Sequence, residues 1–289
     1  MVEVQQTSAP TLEYEALRAL VGRYISSPLG TRELAKMQPS ADRAELESAL
    51  AETGEALGYL RTAARPQPGQ KGAAIRIDFS GLPDLTNTVH KLRIEGATLE
   101  ARELFDLILL LDRAADAKSN LNAAAERFPL LGRRAASLGE FRELVKSLDG
   151  KILPDGSVAD SASVLLGRLR RDIDRQKNQI QDSLEEFLRA HKEEGVLQEE
   201  IVTIRNERFV VPVISGQRRR LNGVIHGASS SGHTLFVEPM ETIELNNELV
   251  RLTEDELREV HRILRELTER LRAHAPEILI ALVVMGELE

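Results

Sequence analysis

Between two long helical stretches the chain reads Ile201-Val202-Thr203-Ile204-Arg205-Asn206-Glu207-Arg208-Phe209-Val210-Val211-Pro212-Val213. Its β-branched and aromatic residues belong in strands, over Ile201–Ile204 and Phe209–Ile214. Pro212 has no N–H to give to a ladder, so the second strand is expected at an edge. Leu221–His226 and Thr234–Val237 read as two more strands, divided by the turn residues Gly227–Gly232. Residues 201–243 thus form a small β-rich module.

Helical periodicity surrounds it. Upstream, from Ser161, the apolar positions Leu166, Leu169, Ile173, Ile180, Leu184 and Phe187 recur in steps of three and four, with Gln176 as a polar member of the seam. Downstream, Leu257, Val260, Leu264, Leu267 and Leu271 repeat the pattern. Helices of about 30 residues are roughly 45 Å long at 1.5 Å per residue. Two of similar length predict antiparallel pairing into an arm, with the β module between its outgoing and returning halves.

The first half is helical too. Tyr14–Tyr24 carries a stripe of Ala16, Leu17, Leu20, Val21 and Tyr24, broken by Ser26, Ser27, Pro28 and Gly30. A second helix begins near Thr31. Ser40 is the expected N-cap of a third, with Leu46, Leu50, Thr53 and Leu57 facing inward. Residues 66–72, rich in Pro and Gly, read as a loop, and the alternation of Ile75, Ile77 and Phe79 as a short strand. From Leu85 to Leu121 the pattern is helical with a break at Gly96; Thr98 is the expected N-cap for Leu104, Leu107, Ile108 and Leu111. The fold class is therefore mainly α: a helical core over 1–150, an outgoing lever helix over 151–200, a β-rich clamp over 201–243 and a returning helix over 244–289.

Composition removes several classes of function. The 289 residues contain no Cys and no Trp, which excludes disulfides, thiolate catalysis and Cys-ligated metals. The polar start Met1–Pro10 lacks the pattern of a signal peptide. The apolar runs Leu107–Leu111 and Ile278–Met285 are far short of the roughly 20 residues a bilayer requires. A soluble, cytoplasmic protein is expected. The net charge is −8, yet residues 201–240 hold five arginines against two glutamates, so that stretch is +3 and the remainder −11.

No catalytic constellation stands out. Neither G-x-x-x-x-G-K-[ST] nor G-x-G-x-x-G occurs. The histidines lack the company of a zinc site, and the carboxylates read as solvated helix faces. Ser229-Ser230-Ser231-Gly232 could cradle an anion on backbone N–H groups, although a hairpin loop is the plainer reading. Arg205, Arg208 and the run Arg218, Arg219 and Arg220 have the planar donors that suit phosphates. Such charges also serve simply to keep a sheet edge soluble.

Residues 201–213 resemble the clamp entry of the bacterial MutS2 family. At matching spacing follow Gly223-Val224-Ile225-His226, then Ser229-Ser230-Ser231-Gly232-His233-Thr234-Leu235-Phe236-Val237-Glu238-Pro239, then Glu244-Leu245-Asn246-Asn247-Glu248-Leu249. Weaker support comes from Ser27-Pro28-Leu29-Gly30, Gly81-Leu82-Pro83-Asp84 and Asp155–Ser163. The chain departs from the family pattern at Ile214, Gln217, Arg219 and Arg220, where Lys, Tyr, Gly and Lys are common. It departs again at Gly227-Ala228, where an Asp-Gln pair is common. The charge is retained, but a stacking Tyr is missing.

The resemblance implies a MutS-type core, a coiled-coil lever and a clamp, without the ATPase and Smr domains of complete family members. No catalytic residue and no cofactor is expected in this chain; ATP and magnesium would belong to the ATPase domain. The family implies binding of branched DNA with suppression of homologous recombination, or docking on stalled or collided ribosomes; a purely structural coiled coil is the alternative. Contacts are expected from Arg205, Arg208, Arg218, Arg219, Arg220 and His226, with Ser229, Ser231, Gly232 and Thr234 in the clamp loop. No membrane partner is expected. The family implies a homodimeric parent held by its ATPase domain, with which a monomeric fragment is compatible.

Overall fold

The computed structural model describes residues 13–64 and 75–289, and the side chains of Arg218 and Arg219 are outside the description. The readings of Met1–Pro10 and of the loop 66–72 fall outside the described residues. The chain divides into two compact units, Met1–Ala159 with Leu264–Glu289, and Asp160–Ile263.

The first unit contains α1 (Tyr14–Gly22), α2 (Pro28–Lys36), α3 (Arg43–Ala63), α4 (Thr86–Leu92), α5 (Ala101–Ala123), α6 (Pro129–Ala136) and α7 (Arg142–Leu148). Its core is built on α5, where Leu104, Leu107, Leu110, Leu111 and Ala114 are fully buried. A break occurs at Gly96, whose φ of 77° is open to glycine at little cost. Capping departs from expectation. α2 starts at Pro28, inside the expected break and not near Thr31, with Ser27 as its cap accepting the Gly30 N–H. Asp42 caps α3 in place of Ser40, because its Oδ1 takes the N–H groups of both Ala44 and Glu45. At α5 the cap is Glu100, not Thr98, and Glu103 accepts the Glu100 N–H at 2.8 Å.

Two apolar stripes fall differently from expectation. On α3, Leu46, Leu50 and Leu57 are exposed, and the buried side chain is Tyr59. The turn has a polar cause. Glu55 accepts the Leu130 and Leu131 N–H groups at the start of α6, Glu52 pairs with Arg134, and Tyr59 packs edge-on to Phe128 with ring centroids 5.6 Å apart. A carboxylate at a helix N-terminus is stabilised by unpaired N–H groups and the helix dipole, so this line of α3 faces inward. On α1, Leu17, Leu20, Val21 and Tyr24 are exposed as well. Residues 75–79 form no strand; the Ile75 carbonyl instead accepts the Tyr59 hydroxyl at 2.6 Å.

The second unit begins at Asp160. It holds α8 (Val164–His191), the strands β1 (Thr203–Arg205), β2 (Arg208–Ile214), β3 (Gly223–Ala228) and β4 (Thr234–Pro239), and the first part of α9 (Ile243–Arg272). All seven expected seam positions of α8 are buried, Gln176 among them. Its amide donates to the Leu245 carbonyl at 2.8 Å, which satisfies a polar group in an otherwise apolar line. Ser163 bonds Glu259, Arg170 bonds Glu256, and Gln176 bonds Leu245, so rising numbers on α8 meet falling numbers on α9. The two helices therefore run antiparallel. On α9 the expected seam members Leu267 and Leu271 are buried, whereas Leu257 is 64% exposed and Leu249, Leu252, Glu259 and Ile263 continue the buried line toward the sheet. The polar bonds from Arg170 to Glu256 and from Ser163 to Glu259 fix that phase.

The sheet is antiparallel throughout, in the order β1-β2-β4-β3. Val211, Val213 and Val237 join Ile180, Leu184, Leu249 and Leu252 in one core. Pro212 lies inside the sheet, in β2 between β1 and β4, and not at an edge as its missing N–H suggested. Strand residues aim their N–H and C=O to the same side. The Pro212 carbonyl accepts from Gln198, so its nitrogen faces the segment 196–198 that lies alongside β2 beyond the end of β1. The ladder with β4 loses nothing.

From Leu264 onward the chain belongs to the first unit again, ending in α10 (Ala275–Leu288). Ile278, Ala281 and Met285 are fully buried, and α10 packs on α2, α4 and α5. Gly286 allows close approach to α2: a Cβ there would lie 2.9 Å from the Leu29 carbonyl oxygen. Among the described residues no helix is long and apolar enough to cross a membrane.

Candidate nucleic-acid interface

The β module is held by local chemistry at each turn. Asn206 and Glu207 both have positive φ, 50° and 63°, which makes the two-residue connection whose twist suits a hairpin. It brings Arg205 opposite Arg208. At the other hairpin, Ser229 Oγ accepts the Thr234 N–H at 3.1 Å, and the Ser229 carbonyl accepts the Gly232 N–H at 2.9 Å. Gly232 supplies a φ of 71°. Ser231 Oγ is 3.3 Å from Ser229 Oγ. Ser229, Gly232 and Thr234 are thus occupied in closing the turn. At Gly223 a Cβ would stand 2.4 Å from the Glu238 carbonyl oxygen, so β3 and β4 fit closely only with glycine there.

The candidate arginines separate into different environments. Arg208 and His226 converge on Glu238, which is 1% exposed. Arg208 Nη1 donates to one carboxylate oxygen at 2.9 Å, and His226 Nε2 lies 2.6 Å from the other. Arg208 Nη2 reaches Asn247 Oδ1 at 2.8 Å. A buried carboxylate needs such partners, because an unpaired charge in a low-dielectric setting costs several kcal/mol. Arg208 and His226 therefore stabilise the module from within.

Arg205 is exposed, and its guanidinium carbon sits 4.2 Å from the centroid of the Phe236 ring. Its Nη1 donates to the Ile204 carbonyl. Arg220, also exposed, donates to the Glu194 carbonyl at 3.0 Å, just past the C-terminal end of α8. Among the described residues, no carboxylate forms an ion pair with either. Arg218 and Arg219 lie within the short turn Ser215–Arg220 between β2 and β3, with side chains outside the description. The structure thus brings Arg208 and His226 together with Glu238, and keeps Arg205 apart from them as an uncompensated cation on an aromatic ring.

Three residues of this site stood in the family-like blocks but were given no role from the sequence: Glu238, Asn246 and Asn247. Asn246 is fully buried, and its amide takes both the N–H and the C=O of Phe209, at 3.0 and 3.1 Å. An Asn-Asn pair at the very start of a long amphipathic helix, where polar side chains often meet backbone, was the available hint. Among the described residues no group of three His, Asp or Glu is placed to hold a metal ion.

The fold and site define a helical protein with a small antiparallel β module set between two antiparallel helices, the module net basic in an acidic chain. No family model matches the chain. It is 34% identical over 278 residues to the endonuclease MutS2 of Pelotomaculum thermopropionicum, a match covering 96% of this chain and 34% of that protein. It is 32% identical over 289 residues to the putative endonuclease MutS2 of Bacillus subtilis, covering 99% of this chain and 35% of that one. With the endonuclease MutS2 of Geobacillus sp. the identity is 30% over 281 residues. Over nearly its whole length the chain is related to the MutS2 proteins, as the motifs between residues 201 and 249 implied. It spans about a third of the length of the curated relatives it matches.

Proposed function

We propose that this chain is a nucleic-acid-binding portion of a MutS2-type protein, in which residues 201–243 act as a clamp on the DNA backbone. The observation that supports it is the state of Arg205 and Arg220: exposed cations without carboxylate partners, in a chain whose net charge is −8. Residues 201–240 hold five arginines against two glutamates, a net +3, while the remainder of the chain is −11. A basic module in an acidic chain suits a polyanion. The antiparallel α8 and α9 serve as a coiled-coil lever that carries the clamp. The chain contributes binding and no catalysis. Hydrolysis of ATP with magnesium, and any cutting of DNA, would belong to parts of the relatives beyond the aligned third. Branched DNA is the substrate, and restraint of homologous recombination the consequence.

The test is binding of a labelled four-way junction across a salt series. Binding at 50 mM salt, with a steep fall as salt rises, is expected. Each neutralised arginine among Arg205 and Arg218 to Arg220 should make the slope of log K against log salt shallower by about 0.9 per lost phosphate contact. No binding at 50 mM salt, or a slope unchanged by neutralising all four, would overturn the proposal.

A further inference from the structure

From the stacked pair Arg205 and Phe236 we infer a base-stacking platform: the outer face of the Arg205 guanidinium receives an unpaired nucleobase. This rests on the nucleic-acid reading above and sharpens it, because it gives one of those arginines a base to stack on in addition to the charge it brings. Three observations lead there.

The first is geometry. Arg205 lies 4.2 Å above Phe236, while two other arginines of the chain stand 5.4 and 5.3 Å from phenylalanine centroids. At the shorter distance the planar guanidinium is in van der Waals contact with the ring.

The second is fixation. Nη1 is held by the Ile204 carbonyl at 2.8 Å, and the turn that follows is tied down by Asn206, whose Nδ2 donates to the His226 carbonyl at 3.1 Å. The guanidinium is thus restrained by its backbone partner, its ring partner and its turn. A flat cation held in place loses little freedom when a base lies on it.

The third is the absence of a competitor. Arg208, its cross-strand neighbour, spends its donors on Glu238 and Asn247, whereas Arg205 has no ion pair among the described residues. Phosphate binding alone does not require an aromatic beneath the arginine. A ring that holds the guanidinium plane in place favours stacking, since bases splayed out of a helix are received on aromatic rings or guanidinium planes. Every base has such a face, so the platform is tolerant of sequence and selects for the unpaired state, which junctions and single-stranded gaps offer and intact duplex does not.

Two DNA probes test it on the whole chain: a single-stranded 12-mer with a central 2-aminopurine, and the same strand with an abasic site at that position. The wild-type chain should quench the 2-aminopurine and bind the intact strand at least about fivefold more tightly than the abasic one. Arg205→Lys retains charge but not the plane, and Phe236→Leu removes the ring. Both should abolish the quenching and the preference while Arg205→Lys leaves the salt slope unchanged. Equal binding of both strands by the wild-type chain, or quenching that survives in Arg205→Lys, would overturn the platform while leaving phosphate binding intact. No binding of either strand at 50 mM salt while the four-way junction is still bound would overturn the platform alone, and loss of both would overturn both readings. A circular-dichroism melt of each variant that matches the wild type separates loss of the platform from loss of the fold.

Discussion

Asn246 does the work of a missing strand for Phe209. By register Phe209 lies level with Pro239, the last residue of β4, which has no N–H to offer. The Asn246 amide supplies both a donor and an acceptor to that backbone, from the first turn of α9. The start of the helix is thereby registered on the sheet by side-chain chemistry. Asn246→Ala would leave one N–H and one C=O buried and unpaired, at about 1–3 kcal/mol each. A drop of roughly 2–4 kcal/mol in unfolding free energy, read from the urea midpoint with an unchanged slope, is expected.

The two neighbouring arginines should respond oppositely to truncation. Arg208→Ala strands the carboxylate of Glu238 with His226 as its remaining partner, and should cost about 3–5 kcal/mol. Arg205→Ala, at an exposed site, should cost about 1 kcal/mol or less. Thermal melting decides the order; a reversed ranking would place the structural ion pair elsewhere.

Acid should loosen the pairing of α8 and α9. Hydrogen bonds from Arg262, aided by Ser163, hold the Glu259 carboxyl down at about 2 against an ordinary 4.5, despite burial acting the other way. A lowered folded pKa stabilises at every pH above the unfolded value, and that contribution fades as pH falls from about 4.5 toward 2. The size is of order 2 kcal/mol, because Arg262 is half exposed and solvent weakens its pull. In an acid titration followed by circular dichroism, Glu259→Gln should be less stable than wild type at pH 7 and indistinguishable from it near pH 2.

Two glycine substitutions should have opposite signs. Gly286→Ala places a methyl 2.9 Å from the Leu29 carbonyl oxygen and 3.0 Å from Glu33 Cγ. Spreading α10 from α2 should cost about 1–3 kcal/mol, more than alanine's gain in helix propensity. Gly54, inside α3, has no atom within 4 Å of the added position. Gly54→Ala should therefore stabilise by about 0.5–1 kcal/mol. Paired denaturation curves give both values.

What sequence could reveal here depended on whether local periodicity or a distant partner decided the outcome. The strands around Phe209 and Leu235 and the seam of α8 were readable, because alternation and heptad spacing report directly on burial. The Leu46, Leu50 and Leu57 stripe misled, because two glutamates found a helix N-terminus and an arginine in α6 and claimed the inner face. Pro212 misled for a related reason: its bare nitrogen faces a segment some fifteen residues upstream that periodicity did not place there. At the site, sequence counted charges correctly but could not tell Arg205 from Arg208. Their difference lies in Glu238 and Asn247, 30 and 39 residues from Arg208 in the chain.

The bond from Asn206 to the His226 carbonyl joins a turn beside one outer strand to the opposite outer strand of the same sheet. A backbone carbonyl occupied in this way is not available to an added strand. Ile204, Val224 and Ile225 are all exposed in this module, a combination that would otherwise invite copies of the chain to zip together. The clasp opposes that self-association at the His226 carbonyl, and it does so without adding charge to the module.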